Sequence, residues 1–312
     1  MTRVHLIIIC CLALIACNPQ PEIDNATMLD GNQINDLTLT QPTKYLVSEY
    51  ISNPTTAQKD TPVIIAAHGY SATTFEWDEL RDRANLKKTF YVSQVLLGGH
   101  GRDYADFKAA TWENWQEAIK TEYQKLTTKG FKNIYLAGSS TGAPLLVEMI
   151  SSGYFNAFTI KPKGFFLIDP IVVSSNKTLT LVGLVGPVLG YTTTVLETGE
   201  AGKWYVYRPQ ESLKQLMELI DLTRKNLEKG IVLPAGSKLK IYKSKIDATA
   251  DPVSAPMLYK GLKTSDGKEV DIEMYDSDIH VFTRLRGRSA VTAKDTQNQT
   301  AAFADMELRV KI

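Results

Sequence analysis

The sequence predicts an α/β fold: a mostly parallel central sheet with helices on both faces and a helical cap insertion. Three observations predict it. Short apolar, β-rich runs alternate with helical patterns, turns rich in glycine or polar residues close those runs, and one crossover is far longer than the others.

In chain order, "TPVIIAAHGY" is a strand ending in a glycine turn, and "SATTFEWDELRDRANL" carries a looser helical pattern. "TFYVSQVLL" reads as the next strand, "ATWENWQEAIKTEYQKLTTKG" as a long helix closed by Gly130, and "KNIYLAG" as a further strand. The helix "TGAPLLVEMISSG", the strand "KGFFLID", the strand "SKLKIYKSK", the helix "APMLYKGLK" and the strand "EVDIEMYDS" follow, with a last helix near "TAAFADMELRV". The stretch that breaks this rhythm, 171–232, holds the apolar piece "TLTLVGLVGPVLGYT" and the helix "PQESLKQLMELIDLTRKNLEKG". An insertion of that size after a sheet strand is expected to cap the site, because parallel sheets place ligands outside the carboxyl ends of their strands.

The chain has 312 residues, room for one large domain or two modest ones, and 44% of it is hydrophobic, enough for a sizeable core. With 35 basic against 34 acidic side chains, the net charge of +1 gives no field that would draw nucleic acid or an anionic surface. The amino terminus is more specific. "MTRVHLIIICCLALIAC" has a basic start and an apolar run too short to span a bilayer comfortably, so residues 1–16 read as a signal peptide. Its end, Leu14-Ile15-Ala16-Cys17, resembles the lipobox of bacterial lipoproteins, in which Cys17 becomes the acylated first residue. The polar stretch 17–43 is then expected to be a flexible tether, and 44–312 the folded domain, free of cysteine. Asn18 after Cys17 is not the aspartate associated with inner-membrane retention, so the outer membrane is favoured by that resemblance.

Within "YLAGSSTGAPLL", Gly138-x-Ser140-x-Gly142 matches a nucleophile elbow, where a strand reverses into a helix around a strained tip residue. The flanking glycines are a steric need of so tight a turn. Placing Ser139 at the tip would put Ala137 and Thr141 at those positions, so Ser140 is the candidate. Pro144 falls in the first helical turn, where a missing N–H is harmless.

A serine hydroxyl needs an imidazole to take its proton and a carboxylate to orient that imidazole. In sheets carrying this elbow the three follow in the order serine, acid, histidine. Of His5, His68, His100 and His280, only His280 follows Ser140, in the loop "DSDIHVF" past a strand end. The acid lies in "KIDATADP", at Asp247 or Asp251. Asp251 stands at a helix start, where capping explains it; Asp247 has no such explanation and is favoured.

With those residues, the chain resembles the α/β-hydrolase superfamily, in particular the carboxylesterase and monoacylglycerol lipase group, also described as serine aminopeptidase-like. The resemblance runs from about Thr61 to the end and rests on "HGY", "GHG", "TWENWQEAIKTEYQKL", "GSSTG", "DATADPVSAPMLY" and "SDIHVFT". It implies Asp247 as the acid, with Pro252 and Leu258-Tyr259 in the places the family expects, and an oxyanion hole from the backbone N–H groups of Tyr70 and Thr141. Thr141 stands where the family usually has methionine or another larger residue and Ala143 where a second glycine is common, which bears on pocket shape. His68 and His100 are expected to support the neighbouring loops. No cofactor is implied: no His/Cys/carboxylate cluster has metal-ligand spacing, and "GGHG" lacks the rest of a nucleotide fingerprint.

The expected function is hydrolysis of carboxylic esters, of short to medium acyl chains or monoacylglycerols, through an acyl-enzyme. An amidase or peptidase of the same fold and a catalytically silent surface lipoprotein are the alternatives. The apolar piece from Thr178 to Thr192 reads either as a lid over an acyl pocket or as the cap's own core.

Overall fold

The structure is a computed structural model that describes residues 18–23, 38–176, 186 and 188–311. The signal peptide, Cys17 and most of the apolar piece of the cap lie outside the described residues.

Ten strands are present among the described residues: β1 (Val63–Ala67), β2 (Tyr91–Val95), β3 (Ile134–Ser139), β4 (Gly164–Ile168), β5 (Tyr191–Thr193), β6 (Tyr207–Pro209), β7 (Ile231–Val232), β8 (Lys238–Ser244), β9 (Leu262–Lys263) and β10 (Asp271–Tyr275). Six of them form one sheet in the order β10-β8-β4-β3-β1-β2, every neighbouring pair parallel. Because side chains alternate across a strand, each buried strand feeds two cores. Val63, Ile65, Leu136, Phe165, Leu167 and Ile241 enter one apolar cluster. Ile64, Ala66, Ala137, Phe166, Ile168 and Tyr242 enter the other. This is why β1, β3 and β4 read as near-continuous apolar runs rather than alternating ones.

Helices cover both faces. On the first lie α3 (Trp112–Thr128), α4 (Gly142–Ser151), α5 (Gln210–Lys229) and α6 (Ser254–Gly261); on the second lie α1 (Asp78–Lys87) and α7 (Ala293–Val310). α2 (Tyr104–Ala109), which the sequence pattern does not announce, sits beneath the cap. α3 starts at a capping box between Thr111 and Asn114, and buries Trp115, Ile119, Tyr123 and Leu126 along one stripe. Gly130, at φ +83°, lets the chain turn away after it. α7 is longer than the pattern near "TAAFADMELRV" suggests, since a capping box at Thr292 and Asp295 starts it two turns earlier. Three short helices, Pro42–Tyr45, Val47–Tyr50 and Thr56–Asp60, precede the sheet. The buried Glu122 carboxylate ties the second of them to β2 by accepting from Ser48 and Ser93.

The long insertion divides in two. The two-stranded antiparallel ribbon β5-β6 lies over the carboxyl ends of the sheet strands, with Thr192 opposite Arg208. α5 instead joins the main core through Leu216, Leu219, Ile220 and Leu227, serving as the helical crossover that two parallel strands require. Tyr205 anchors the ribbon: its N–H donates to the Ser71 carbonyl at 3.0 Å and its hydroxyl to the Gly99 carbonyl at 2.9 Å.

Candidate active site

Five non-glycine residues have positive φ among the described residues: Ser71, Lys88, Ser140, Asp169 and Val281. Lys88 ends a helix. The other four stand at the carboxyl edge of the sheet, each in or beside a residue singled out by sequence or in contact with one. Backbone strain of this kind costs of order 1–3 kcal/mol per residue and persists only where the surroundings enforce it.

Ser140, at φ +48°, is the tip between β3 and α4. A Cβ at Gly138 would stand 2.5 Å from the Gly142 backbone, and one at Gly142 would stand 2.4 Å from the Ala67 carbonyl oxygen. Both glycines are therefore required. The two serines have different surroundings: the Ser139 hydroxyl is spent on the buried Glu76 carboxylate, whereas Ser140 lines a cavity of about 460 Å³. Tyr70, Thr141 and His280 line the same cavity. Neither the Tyr70 nor the Thr141 backbone N–H has an acceptor among the described residues.

His280 lies beyond β10, and its Nδ1 is 2.9 Å from Asp247 Oδ2. Asp247 follows β8 and is buried; its other oxygen accepts the N–H groups of Thr249 at 2.8 Å and Ala250 at 2.9 Å. Burial alone would raise its pKa, but the hydrogen bond and charge of His280 and the Lys243 ammonium outweigh it and hold the carboxyl far below the usual range. Asp251 does not reach the histidine. Its carboxylate accepts the Val253 N–H at 3.0 Å, at the start of α6.

Beneath this pair lies a network the sequence did not reveal. Lys243 is fully buried, 2.5 Å from Asp247 and 3.1 Å from Asp169. Asp169 also accepts from the Ser244 N–H at 2.7 Å and the Phe282 N–H at 3.2 Å, joining the ends of β4 and β8 to the His280 loop. The parallel register that pairs Ile168 with Tyr242 puts Asp169 beside Lys243 across 74 residues. The ligand atoms of Asp169, Asp247 and His280 fall within 4.8 Å of one another, a spacing that could hold a metal. Lys243 already supplies the cation there, bonded to both carboxylates, so the donor set does not fit one.

Glu76 is the other unforeseen residue. It accepts from the Gly69 N–H at 2.9 Å as well as from Ser139, tying the loop that carries Tyr70 to the elbow. His68 stands behind that loop, its Nδ1 donating to the Gly69 carbonyl and its Nε2 accepting the Leu97 N–H at 3.1 Å. His100 packs edge-on against His68 and among Tyr70, Phe107 and Trp115; burial, with His68 close by, holds its pKa well below the usual imidazole value.

No protein-family model matches the chain, and no curated protein matches it significantly. Solved structures do. A structure of the metagenome-derived lipolytic enzymes LipS and LipT aligns at 15% identity with a TM-score of 0.64, covering 81% of this chain and 95% of its own. Monoglyceride lipase from Saccharomyces cerevisiae aligns at 14% identity and 0.61, covering 83% and 88%. Paleococcus ferrophilus monoacylglycerol lipase aligns at 13% and 0.59, covering 80% and 96%. Likeness at such identities speaks for architecture, and it agrees with the sheet and elbow described above: the chain has the α/β-hydrolase fold.

Proposed function

We propose that the chain is a serine hydrolase cleaving carboxylic esters through an acyl-enzyme. The observation that carries this is one cavity shared by a strained Ser140 and by His280, whose far nitrogen is hydrogen-bonded to a buried carboxylate. In the first step Ser140 Oγ attacks the ester carbonyl and gives its proton to His280 Nε2. Asp247 fixes Nδ1–H and stabilises the imidazolium. The Tyr70 and Thr141 N–H groups receive the oxyanion, a contribution worth roughly a hundred- to a thousandfold per donor in such sites. His280 then protonates the leaving alcohol, and water activated by the same imidazole releases the acid and restores Ser140.

The cavity's apolar lining from Ile171, Leu189, Leu213 and Leu216 suits short to medium acyl chains or a monoacylglycerol, in line with what the similar structures are named for. An acyl series from acetate to laurate, run beside matched amides, tests the substrate class. Turnover of the amides alone would replace the esterase reading with an amidase.

Cys17 is read as the lipidated residue, anchoring the chain to a membrane, in the outer-membrane assignment favoured by its flanking Asn18. Asn18 donates to Glu211 at 3.1 Å and Lys108 donates to Gln20 at 3.1 Å, so the segment after Cys17 runs along the cap side. Such an anchor holds the cap, rather than the far end of the sheet, toward the bilayer. Detergent-phase partition that survives Cys17→Ala would contradict the anchor.

A further inference from the structure

The cavity has a charged feature that acyl transfer does not use. Arg208, on β6, lines it together with Ser140 and His280, with its guanidinium carbon 5.9 Å from the centre of the Tyr70 ring. Its Nε is buried without a hydrogen-bond partner, and no carboxylate among the described residues pairs with it. Arg284, whose Nε is likewise unpartnered, and Arg288 both hold other bonds. Arg284 binds Glu200 at 2.5 Å, and Arg288 donates to the His280 carbonyl at 2.6 Å and the Arg284 carbonyl at 2.8 Å. Glu200, the acid whose charge is felt at Arg208, is thus already taken.

A guanidinium has five donors and does not lose its proton in proteins, so a buried Nε–H without an acceptor carries a penalty that an anion can remove. The planar fork suits a carboxylate bound through two parallel bonds. Across the ribbon from Arg208 stands Thr192, and Thr193 and Thr194 also line the cavity. The chemistry on this wall is that of an anion subsite in the cavity that Ser140 also lines.

We propose that Arg208 is a specificity-determining residue that binds a carboxylate carried by the ester substrate. The proposal deepens the hydrolase reading and rests on it for the word substrate, while the anion site itself stands on Arg208 alone. The carboxylate belongs to the acyl part, as in the half-ester of a dicarboxylic acid, or to the alcohol part; the cavity chemistry is the same.

Two pairs of esters separate those sources. Mono(4-nitrophenyl) glutarate against 4-nitrophenyl pentanoate carries the charge on the acyl side, and 3-acetoxybenzoate against phenyl acetate carries it on the alcohol side. In the wild type, at least one charged member is expected to exceed its neutral partner in kcat/KM, mainly through KM. In Arg208→Gln that ratio should fall by roughly 10- to 100-fold, the usual worth of a charge-assisted hydrogen bond, and Arg208→Lys should recover part of it. Glutarate and benzoate binding, measured by calorimetry, supplies a readout independent of turnover: saturable binding by the wild type and its loss in Arg208→Gln are expected. Should that variant fail to fold, protection of Arg208 from phenylglyoxal by glutarate on the wild-type protein gives the same answer.

Ratios at or below one in both pairs, or ratios untouched by Arg208→Gln, would overturn the proposal, as would glutarate and benzoate that neither bind nor protect. If esters are not cleaved but an anion still binds through Arg208, the hydrolase reading fails and the anion site stands. If esters are cleaved and no anion binds, the reverse holds.

Discussion

At the sheet edge beneath the cavity, Glu76, Ser139, Asp169, Lys243 and Asp247 spend polar atoms on one another or on neighbouring backbone; on the cap side, Arg208 has a buried nitrogen with nothing to bond. The first region is preorganised, with the strained Asp169 held by these bonds. The second is open, left to be completed by whatever enters. On the proposed reading, chemistry would fall to the ends of the parallel strands and selection to a ribbon inserted between two of those strands.

Breaking the first region should cost most. His280→Gln removes the base and is expected to lower kcat by about ten-thousandfold or more, while Asp247→Asn, which leaves the ring without its anion, should lower it about a thousand- to ten-thousandfold. Steady-state kinetics on a neutral ester checks both, and neither should change KM in proportion. Next comes Gly142→Ala, whose new methyl would meet the Ala67 carbonyl at 2.4 Å. Loss of the folded state or a fall in stability of several kcal/mol is expected, read by urea unfolding.

Lys243→Met should then cost about 3–5 kcal/mol, because it strands two buried carboxylates while filling the same space. It should also raise the Asp247 pKa, so activity in this variant is expected to fall at a higher pH than in the wild type. In the wild type, Asp247 has a folded pKa below its unfolded one. Its contribution to stability is therefore present above about pH 4, the unfolded carboxylate value, and is lost as pH falls below that.

The smallest effect concerns His100, buried neutral behind the loop that carries Tyr70. Its folded pKa is depressed, so below about pH 6.5 the unfolded chain takes up a proton that the native state refuses. Stability should decline there by at most about 1.4 kcal/mol per pH unit from this one group. Melting curves between pH 7.5 and 5.5 should show a shallower decline in His100→Phe than in the wild type.

Much of this architecture was legible from order alone. Apolar runs marked β1, β3 and β4 because strands buried on both faces leave little polar alternation, and the glycine frame separated Ser140 from Ser139 because sterics act within five residues. Asp169 and Lys243 were not legible. In "KLKIYKSK" the lysines look like a solvated edge, and only the register against β4 shows that one of them is buried between two acids. Arg208 was hidden for a different reason: the ribbon that carries it is three residues per strand, too short for periodicity to mark.

The central claim is that Ser140, and not its neighbour, is an activated nucleophile. Labelling with a fluorophosphonate probe followed by peptide mapping tests it directly. Stoichiometric modification of Ser140, abolished in Ser140→Ala and retained in Ser139→Ala, is the result expected; an unlabelled wild type, or labelling that persists in Ser140→Ala, would contradict it.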